Sequence, residues 1–294
     1  MQTIFFGESY ENKIVLTIGY FDAVHVGHAA LFFAARGIAE NLNAETAALV
    51  FKGGFKRGGD VFTYDERLLR LKTQGVKRVI CAPVTEDFKN TSANDFLNEL
   101  FGYYNIAGVV VGEDFTFGKD ASGSVDLLRA ECEKRGVEFK AVKKVRTEKG
   151  EIASSSLVKK YLSVGDVKSA NSVIGSDYFI TGVVQKGKQN GRKIGFPTAN
   201  IKPPEDKYPI KDGVYATSVI IAGDVYGAIT NVGTQPTFHG ENRVIETYID
   251  GFSGNLYGKI LTVYFIDRIR DIIAFHSVEG LKKQLEKDIE NVRD

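Results

Sequence analysis

A chain of 294 residues exceeds a typical single domain, so two domains of ordinary size, each with its own core, are the first expectation. With 43% apolar and 26% charged residues and a formal net charge of +1, the composition excludes a disordered or fibrous chain. The same balance argues against nucleic-acid binding through a broad basic surface, whereas small anionic ligands need only a local cluster. Cys81 and Cys132 are the only cysteines and lie far apart, which suggests neither a zinc site nor a disulfide framework and fits a reduced, cytoplasmic setting. The stretch from Met1 to Tyr10 carries Glu8 and lacks a basic segment followed by an apolar core. No run approaches the roughly 18 apolar residues of a membrane span, so no membrane partner is expected.

Taken in chain order, the first half alternates strand and helix. Apolar runs at Ile14 to Ile18, Thr46 to Phe51, Arg78 to Cys81 and Gly108 to Val111 read as buried parallel strands, with Val137 to Val142 as a fifth. The segment from Ala29 to Glu40 is helix-prone. Thr63 can cap a helix over Tyr64 to Thr73, with Asp65 and Glu66 in its first turn and Gly75 beyond its end. Ser92 can cap Ala93 to Phe101, with Gly102 following. Alternation of this kind implies a doubly wound, Rossmann-like α/β domain whose ligand lies at the carboxyl ends of the strands.

Two short helices, Ser154 to Leu162 and Asp166 to Val173, are expected around a break at Gly165. Beyond Gly175 the chain turns β-rich, with strands at Tyr178 to Gln185, Val214 to Ile221, Val225 to Thr230, Val244 to Asp250 and Ile260 to Ile266. That pattern predicts an antiparallel barrel or sandwich, closed by an amphipathic helix from about Val278 to Val292. The domain boundary is placed near residue 158, giving domains 1–158 and 159–294.

The first candidate site is the turn Phe21, Asp22, Ala23, Val24, His25, Val26, Gly27, His28, which follows the first buried strand and opens a helix. Free N–H groups and the positive end of the helix dipole point out of such a terminus, and Gly27 admits close approach to the main chain. Two histidines there can donate to a phosphoryl oxygen as charge builds, or can simply cap the helix and make surface contacts. The pattern resembles the FDGVHxGH signature of the nucleotidyltransferase superfamily, with Ala23 where the glycine usually stands. That resemblance implies transfer of a nucleotide from ATP or CTP to an acceptor, with release of pyrophosphate.

Ser154, Ser155, Ser156 and Lys159 either cap a helix or supply short donors and a cation to an anion such as leaving pyrophosphate. Related enzymes carry an ISSTxxR-like element here. Ala153, Ser156 and Lys159 depart from it, and the lysine keeps the charge while losing the bidentate fork. The run Gly112, Glu113, Asp114, Phe115, Thr116, Phe117, Gly118 resembles the family's GEDFxFG element and implies a wall of the nucleotide and acceptor pocket, although Asp114 could equally organise a turn. Lys52 to Arg57 lacks the proline and histidine usual in the corresponding loop.

The second candidate site is Gly191, Arg192, Lys193, Ile194, Gly195, Phe196, Pro197, Thr198, Ala199, Asn200. Gly187, Gly191 and Gly195 permit a tight flap over phosphates, and Pro197 fixes the entry to an extended face on which Thr198 and Asn200 offer hard oxygens to Mg²⁺. The same residues also suit a plain hairpin loop. This segment resembles the GFPTAN signature of riboflavin kinases, and family-like elements follow in order: Gly213 to Tyr215, Asn231 to Phe238, Glu246, Leu256 to Gly258, and Ile269, Arg270 and Phe275. Ile245 and Ile249 set the apolar side of their strand, so Glu246 faces away from it. The resemblance implies that Glu246 accepts the proton of the ribityl 5′-hydroxyl as that oxygen attacks the γ-phosphate of ATP. It also implies a nucleotide or flavin pocket near Gly112, Asp114, Asn231 and Arg270, the arginine either touching flavin or stabilising the fold. Tyr248, where relatives often have histidine, and Asp250 and Gly251 depart from the pattern.

The whole chain thus resembles the bacterial bifunctional FAD synthetases. The implied sequence is riboflavin plus ATP to FMN plus ADP in the second half, then FMN plus ATP to FAD plus pyrophosphate in the first, with Mg²⁺ as cofactor. The other readings are a cytidylyltransferase-like enzyme acting on a phospho-alcohol, which leaves the second half unexplained, and a flavin-binding module without turnover.

Overall fold

The structure is a computed structural model that describes residues 1–294 apart from 54–57, 188–190, 192–193, 238–239, 291 and 293–294, with no side chain described for 235–242. Most of the Lys52 to Arg57 loop, Arg192 and Lys193 of the glycine-rich segment, and the Gln235 to Phe238 side chains therefore lie outside the described residues. The chain forms two compact units: Met1–Arg57 with Thr63–Ser155, and Gly58–Phe62 with Ser156–Asp294. The division in the chain falls three residues before the boundary read from sequence, and a five-residue piece of the first half counts with the second unit.

The first unit is built on a parallel sheet of order β1-β4-β3-β2-β5-β6. Its strands are β1 (Gln2–Phe5), β2 (Tyr10–Gly19), β3 (Glu45–Lys52), β4 (Arg78–Pro83), β5 (Tyr104–Gly112) and β6 (Glu138–Val142). Alternate residues of the central strands feed two separate cores. Ile14, Leu16, Ile18, Leu49 and Val111 face one, whereas Val15, Ala48, Val50, Val79 and Val110 face the other. Helices α1 (Val26–Leu42) and α2 (Tyr64–Thr73) cover the second core through Leu31, Phe32, Ala35 and Leu71. Helices α4 (Ala93–Tyr103) and α5 (Val125–Arg135), which follow the short α3 (Glu86–Asn90), cover the first through Phe96, Leu97, Leu100, Leu128 and Cys132. Burial on both faces explains the uninterrupted apolar runs.

From β2 the chain winds to β3 and β4, then crosses to place β5 on the other side of β2, with Thr17 opposite Val110. The carboxyl ends of β2 and β5 thus flank the point where the winding reverses, the place where an open α/β sheet holds its ligand. The sequence reading does not contain β1, α3 or α5. Strand β1 is an exposed edge without an apolar run, and α5 buries only Leu128 and Cys132. Helix α1 begins at Val26 rather than Ala29, and α4 runs through Gly102 to Tyr103.

The second unit is a closed antiparallel barrel of order β10-β11-β8-β7-β12-β9, which decides between barrel and sandwich. Its strands are β7 (Tyr178–Gln185), β8 (Thr198–Ile201), β9 (Gly213–Ile221), β10 (Asp224–Thr237), β11 (Gly240–Ile249) and β12 (Ile260–Arg270). The sequence places Thr198 and Asn200 on an extended face but does not mark β8 among its strands, since it is four residues beside the glycine-rich segment. Ile245, Thr247 and Ile249 turn inward, and the buried hydroxyls of Thr217, Thr230 and Thr247 chain together at 2.8 and 3.0 Å, so these polar groups are satisfied inside the barrel. Helices α6 (Ser155–Val164) and α7 (Val167–Ile174) precede the barrel, and α8 (Val278–Glu290) packs Ile289 on Val214 and Ile229. Residues 58–62 are bound into this unit: Asp60 N–H donates to Asp206 O at 2.6 Å and Tyr208 N–H to Asp60 O at 2.7 Å. The buried Lys207 ammonium donates to Val61 O and Phe179 O, both at 2.9 Å.

Helix α2 is fixed by a capping box in which Thr63 Oγ1 accepts from Glu66 N–H and Glu66 returns a bond to Thr63 N–H. Thr63→Ala removes one half of it, a loss of about 1 kcal/mol. The expected result is a lowering of the first unit's thermal midpoint by roughly 2–4 °C in calorimetry, and an unchanged midpoint would show that the cap does not stabilise this helix.

Candidate active sites

The first candidate site grows from the turn after β2. Phe21 and Val24 adopt left-handed backbone, with φ of 54° and 41°, and Val24 N–H closes the turn on Phe21 O at 3.3 Å. Ala23 is absent from the positive-φ positions, so the methyl group that replaces the family's glycine sits in an ordinary conformation and is fully buried. The irregularity falls instead on Phe21 and on a β-branched valine, each costing on the order of 1–3 kcal/mol and held by its surroundings. The Phe21 ring packs edge-on to His28 and tilted against Phe32, both at 5.1 Å.

His25 takes the N-cap position of α1 without a side-chain cap bond, which sets aside its reading as a helix cap. The early start of α1 brings His28 into the first turn, and the His25 and His28 rings stack with centroids 3.7 Å apart. A Cβ at Gly27 would lie 3.0 Å from the His25 ring, so glycine here lets the chain's own imidazole come close to the backbone. The same Cβ position is 3.8 Å from Ala153 O, which places the start of the serine run beside the helix terminus within the first unit. Asp22 is buried in the turn. Ser154 and Ser155 close the first unit, whereas Ser156 and Lys159 belong to the second, where the Lys159 ammonium donates to Gly59 O at 2.5 Å and lies over the Tyr208 ring.

Gly112 ends β5, and Phe115 N–H returns to Gly112 O at 3.1 Å, so the loop next to the first turn is itself a turn. Asp114 forms a 2.9 Å ion pair with Lys144 and holds that ammonium above its ordinary pKa. Both side chains are well exposed, and such a pair stabilises little.

Sequence reasoning missed two residues of this site, Arg67 and Arg70. Arg67 donates to Tyr20 O at 2.5 Å and Phe51 O at 3.1 Å, and Arg70 reaches Val24 O at 3.4 Å. Both are buried, and burial pulls Arg70 below the ordinary arginine pKa. The available signal was an α2 that turns charged residues where an apolar stripe belongs.

The second candidate site is a row of side chains on the outside of the barrel. Asn231 of β10, Glu246 of β11 and Asn200 of β8 are direct antiparallel partners, and Gln185 of β7 pairs with Asn200 in turn. Direct partners share a face, and Thr198, two residues before Asn200, shares it too. Thr198 Oγ1 and the Asn200 amide lie 3.4 Å apart. With the amide turned over, Oδ1 stands beside the hydroxyl, and the pair presents two hard oxygens to one cation. Among the described residues no group of three or more His, Cys, Asp or Glu side chains converges as a metal site. Neutral oxygen donors such as Thr198 and Asn200 are of the type that Mg²⁺ accepts.

A cleft of about 600 Å³ opens over Thr198 and Asn200, with Gly187, Pro197, Asn255 and Tyr257 in its wall. Gly191 O accepts from Ile194 N–H at 3.1 Å and Phe196 N–H at 2.9 Å, a turn that contains Gly195 and leads into β8. Phe196 packs edge-on to Tyr248 at 5.3 Å. Arg270 forms a forked pair with buried Asp288 of α8, with contacts of 2.6 and 3.1 Å.

A doubly wound lobe with two histidines at a helix start and a closed barrel with an acid–amide row beside a cleft are the features of a two-lobed class of phosphate-transfer protein, and comparison with known proteins divides the chain in the same manner. An FAD synthetase family model matches residues 7–156 and a riboflavin kinase family model residues 174–294. The bifunctional riboflavin kinase/FMN adenylyltransferase of Haemophilus influenzae is 32% identical over 95% of this chain and 92% of its own length. That of Bacillus subtilis is 32% identical over 94% and 90%. A crystal structure from Streptococcus pneumoniae, described as a macrolide-efflux protein, matches with a TM-score of 0.89 and 30% identity over 99% of both chains. Among the described residues no helix is long and apolar enough to cross a membrane. The chain belongs to the bifunctional riboflavin kinase/FMN adenylyltransferase family.

A Cβ at residue 187 would sit 2.7 Å from the Asn200 carboxamide, so Gly187→Ala is expected to displace that side chain and slow riboflavin phosphorylation roughly tenfold or more. A crystal structure of the variant with Asn200 unmoved, together with the parent rate, would contradict this.

Proposed function

We infer that this chain carries out the two steps named by its family, phosphorylation of riboflavin to FMN and adenylylation of FMN to FAD, with ATP as the co-substrate of both. The observation that carries the reading is the pairing of two unlike phosphate sites in one chain, the stacked His25 and His28 at the start of α1 and the Asn231, Glu246 and Asn200 row on the barrel. The functional lobes are assigned as 1–158 for adenylylation and 159–294 for phosphorylation, and a reduced, cytoplasmic setting fits the two cysteines.

In the adenylyltransferase lobe, the N–H groups of the first turn of α1, with Phe21, Asp22 and Gly27 shaping their approach, receive the triphosphate. His25 and His28 donate to phosphoryl oxygens as charge develops on leaving pyrophosphate. Ser154 and Ser155 add short donors beside them, and Gly112 and Asp114 border the nucleotide or flavin. In the kinase lobe, Thr198 and Asn200 would hold Mg²⁺, which when bound offsets charge on the transferred phosphoryl group. Gly187, Gly191, Gly195, Phe196 and Pro197 form the cover over the phosphates. Glu246 accepts the proton of the ribityl 5′-hydroxyl as that oxygen attacks the γ-phosphate, with Asn231 beside it on the same face. Both reactions are displacements at phosphorus, so orientation and fixed donors supply most of the acceleration.

Incubating the protein with riboflavin, ATP and Mg²⁺ and separating the flavins tests the reading: FMN and then FAD should accumulate, and a chromatogram showing riboflavin alone overturns it. His28→Ala should slow adenylylation of supplied FMN at least ~10²-fold while riboflavin phosphorylation continues at the parent rate. Loss of both activities in a folded variant would refute the division of labour. Glu246→Gln should cut phosphorylation by about 10²–10⁴ and leave supplied FMN convertible to FAD. A parent rate of phosphorylation would remove Glu246 from the role of base.

A further inference from the structure

We propose that Arg67 and Arg70 are positioning residues for FMN adenylylation, their guanidinium groups fixing the two ends of the buried Phe21–Val24 turn and through it the His25 and His28 imidazoles. The proposal rests on the reading of that turn as the adenylyltransferase site.

A left-handed phenylalanine and a left-handed, β-branched valine within four residues relax to ordinary conformations unless neighbouring groups prevent it. The bond from Val24 N–H to Phe21 O, at 3.3 Å, closes the turn from inside and leaves the Tyr20 and Val24 carbonyls to other donors. The two arginines act outside that bond, one on each flank. Arg67 takes Tyr20 O, in the peptide unit that enters the turn, and anchors it to Phe51 O in the neighbouring strand β3. Arg70 takes Val24 O, in the peptide unit that joins the turn to His25. The orientation of that last peptide plane sets where the His25 side chain leaves the backbone, and His25 stacks on His28.

Both cations lie on one face of α2, three residues apart, and α2 is itself locked by its capping box. Arg67 is further confined between aromatic faces, 4.5 Å from the Tyr20 ring centre and 5.6 Å from that of Tyr64. A position needed only for packing would be filled more stably by an apolar side chain of similar volume, since removing a guanidinium from water is costly. What an apolar side chain cannot supply is a set of directed donors at carbonyl oxygens.

The test uses the full chain and three readouts: kcat and ATP KM for FMN adenylylation, the rate of riboflavin phosphorylation, and the thermal midpoint. Arg70→Met keeps length and volume and removes the donors. It should lower adenylylation kcat tenfold or more, leave ATP KM within about threefold, and leave phosphorylation at the parent rate. Because the arginine acts through both imidazoles, the variant with both His28→Ala and Arg70→Met should be slowed by less than the product of the two single losses. A role confined to stability would instead multiply the two losses and depress the thermal midpoint in step. Parent-like adenylylation by Arg70→Met, or a double variant slowed by the product of the single losses, overturns the proposal. Should Arg70→Met fail to fold, Arg70→Lys and Arg67→Lys, which keep charge but lose the fork, are judged by the same criteria. If His28→Ala leaves adenylylation intact, the site assignment itself is wrong and the clamp falls with it, whereas an effect of His28→Ala without one of the arginine variants removes the clamp alone.

Discussion

The first lobe depends on a left-handed turn held shut inside the protein. A helix start attracts phosphate wherever it occurs, but its backbone donors and imidazoles act together only if the chain leaves β2 at one fixed angle. Phe21 and Val24 supply that angle at a conformational cost, and burial against Phe32, His28 and α2 keeps it. The parallel sheet contributes the rest of the geometry, since β5 beside β2 brings the Gly112 turn to the same end of the same crevice.

The barrel solves a related problem by register. Strands that pair Asn231 with Glu246 and Glu246 with Asn200 bring an acid and two amides into line from three distant stretches of sequence. Rigid hydrogen-bonded strands hold such a row more closely than loops do. The inward side of the same strands carries Ile245, Thr247 and Ile249, so the period of two that builds the core also delivers the outward row. Glycine at 187 then leaves room for the Asn200 carboxamide to stand over the cleft.

Much of this was legible from residue order. The runs at Ile14 to Ile18 and Thr46 to Phe51 announce buried strands because both faces are covered, and Thr63 announces its helix through local capping chemistry. The motifs at His25, Thr198 and Glu246 could be placed because each sits at a strand end or a strand register. Other features were not legible, for identifiable reasons. Strand β1 is a short exposed edge with no apolar signature, and β8 is four residues that become a strand only by pairing with β7 and β11. The start of α1 at Val26 depends on the turn before it. The function of Gly27 depends on where the His25 ring folds back. Arg67 and Arg70 put charge where α2 should carry an apolar stripe, but the carbonyls they hold come from distant stretches of sequence.

The segment 58–62 has a consequence for dividing this protein. Its backbone is stitched to Asp206 and Tyr208, and the Lys207 ammonium caps Val61 O, yet its covalent neighbours on both sides belong to the first unit. A gene split after codon 158 therefore leaves on the upstream piece five residues that pack with the downstream one. The downstream piece would lack the five residues that cover Lys207 and would expose an interior ammonium to solvent, whereas a synthetic peptide spanning 58–62 has the means to restore it.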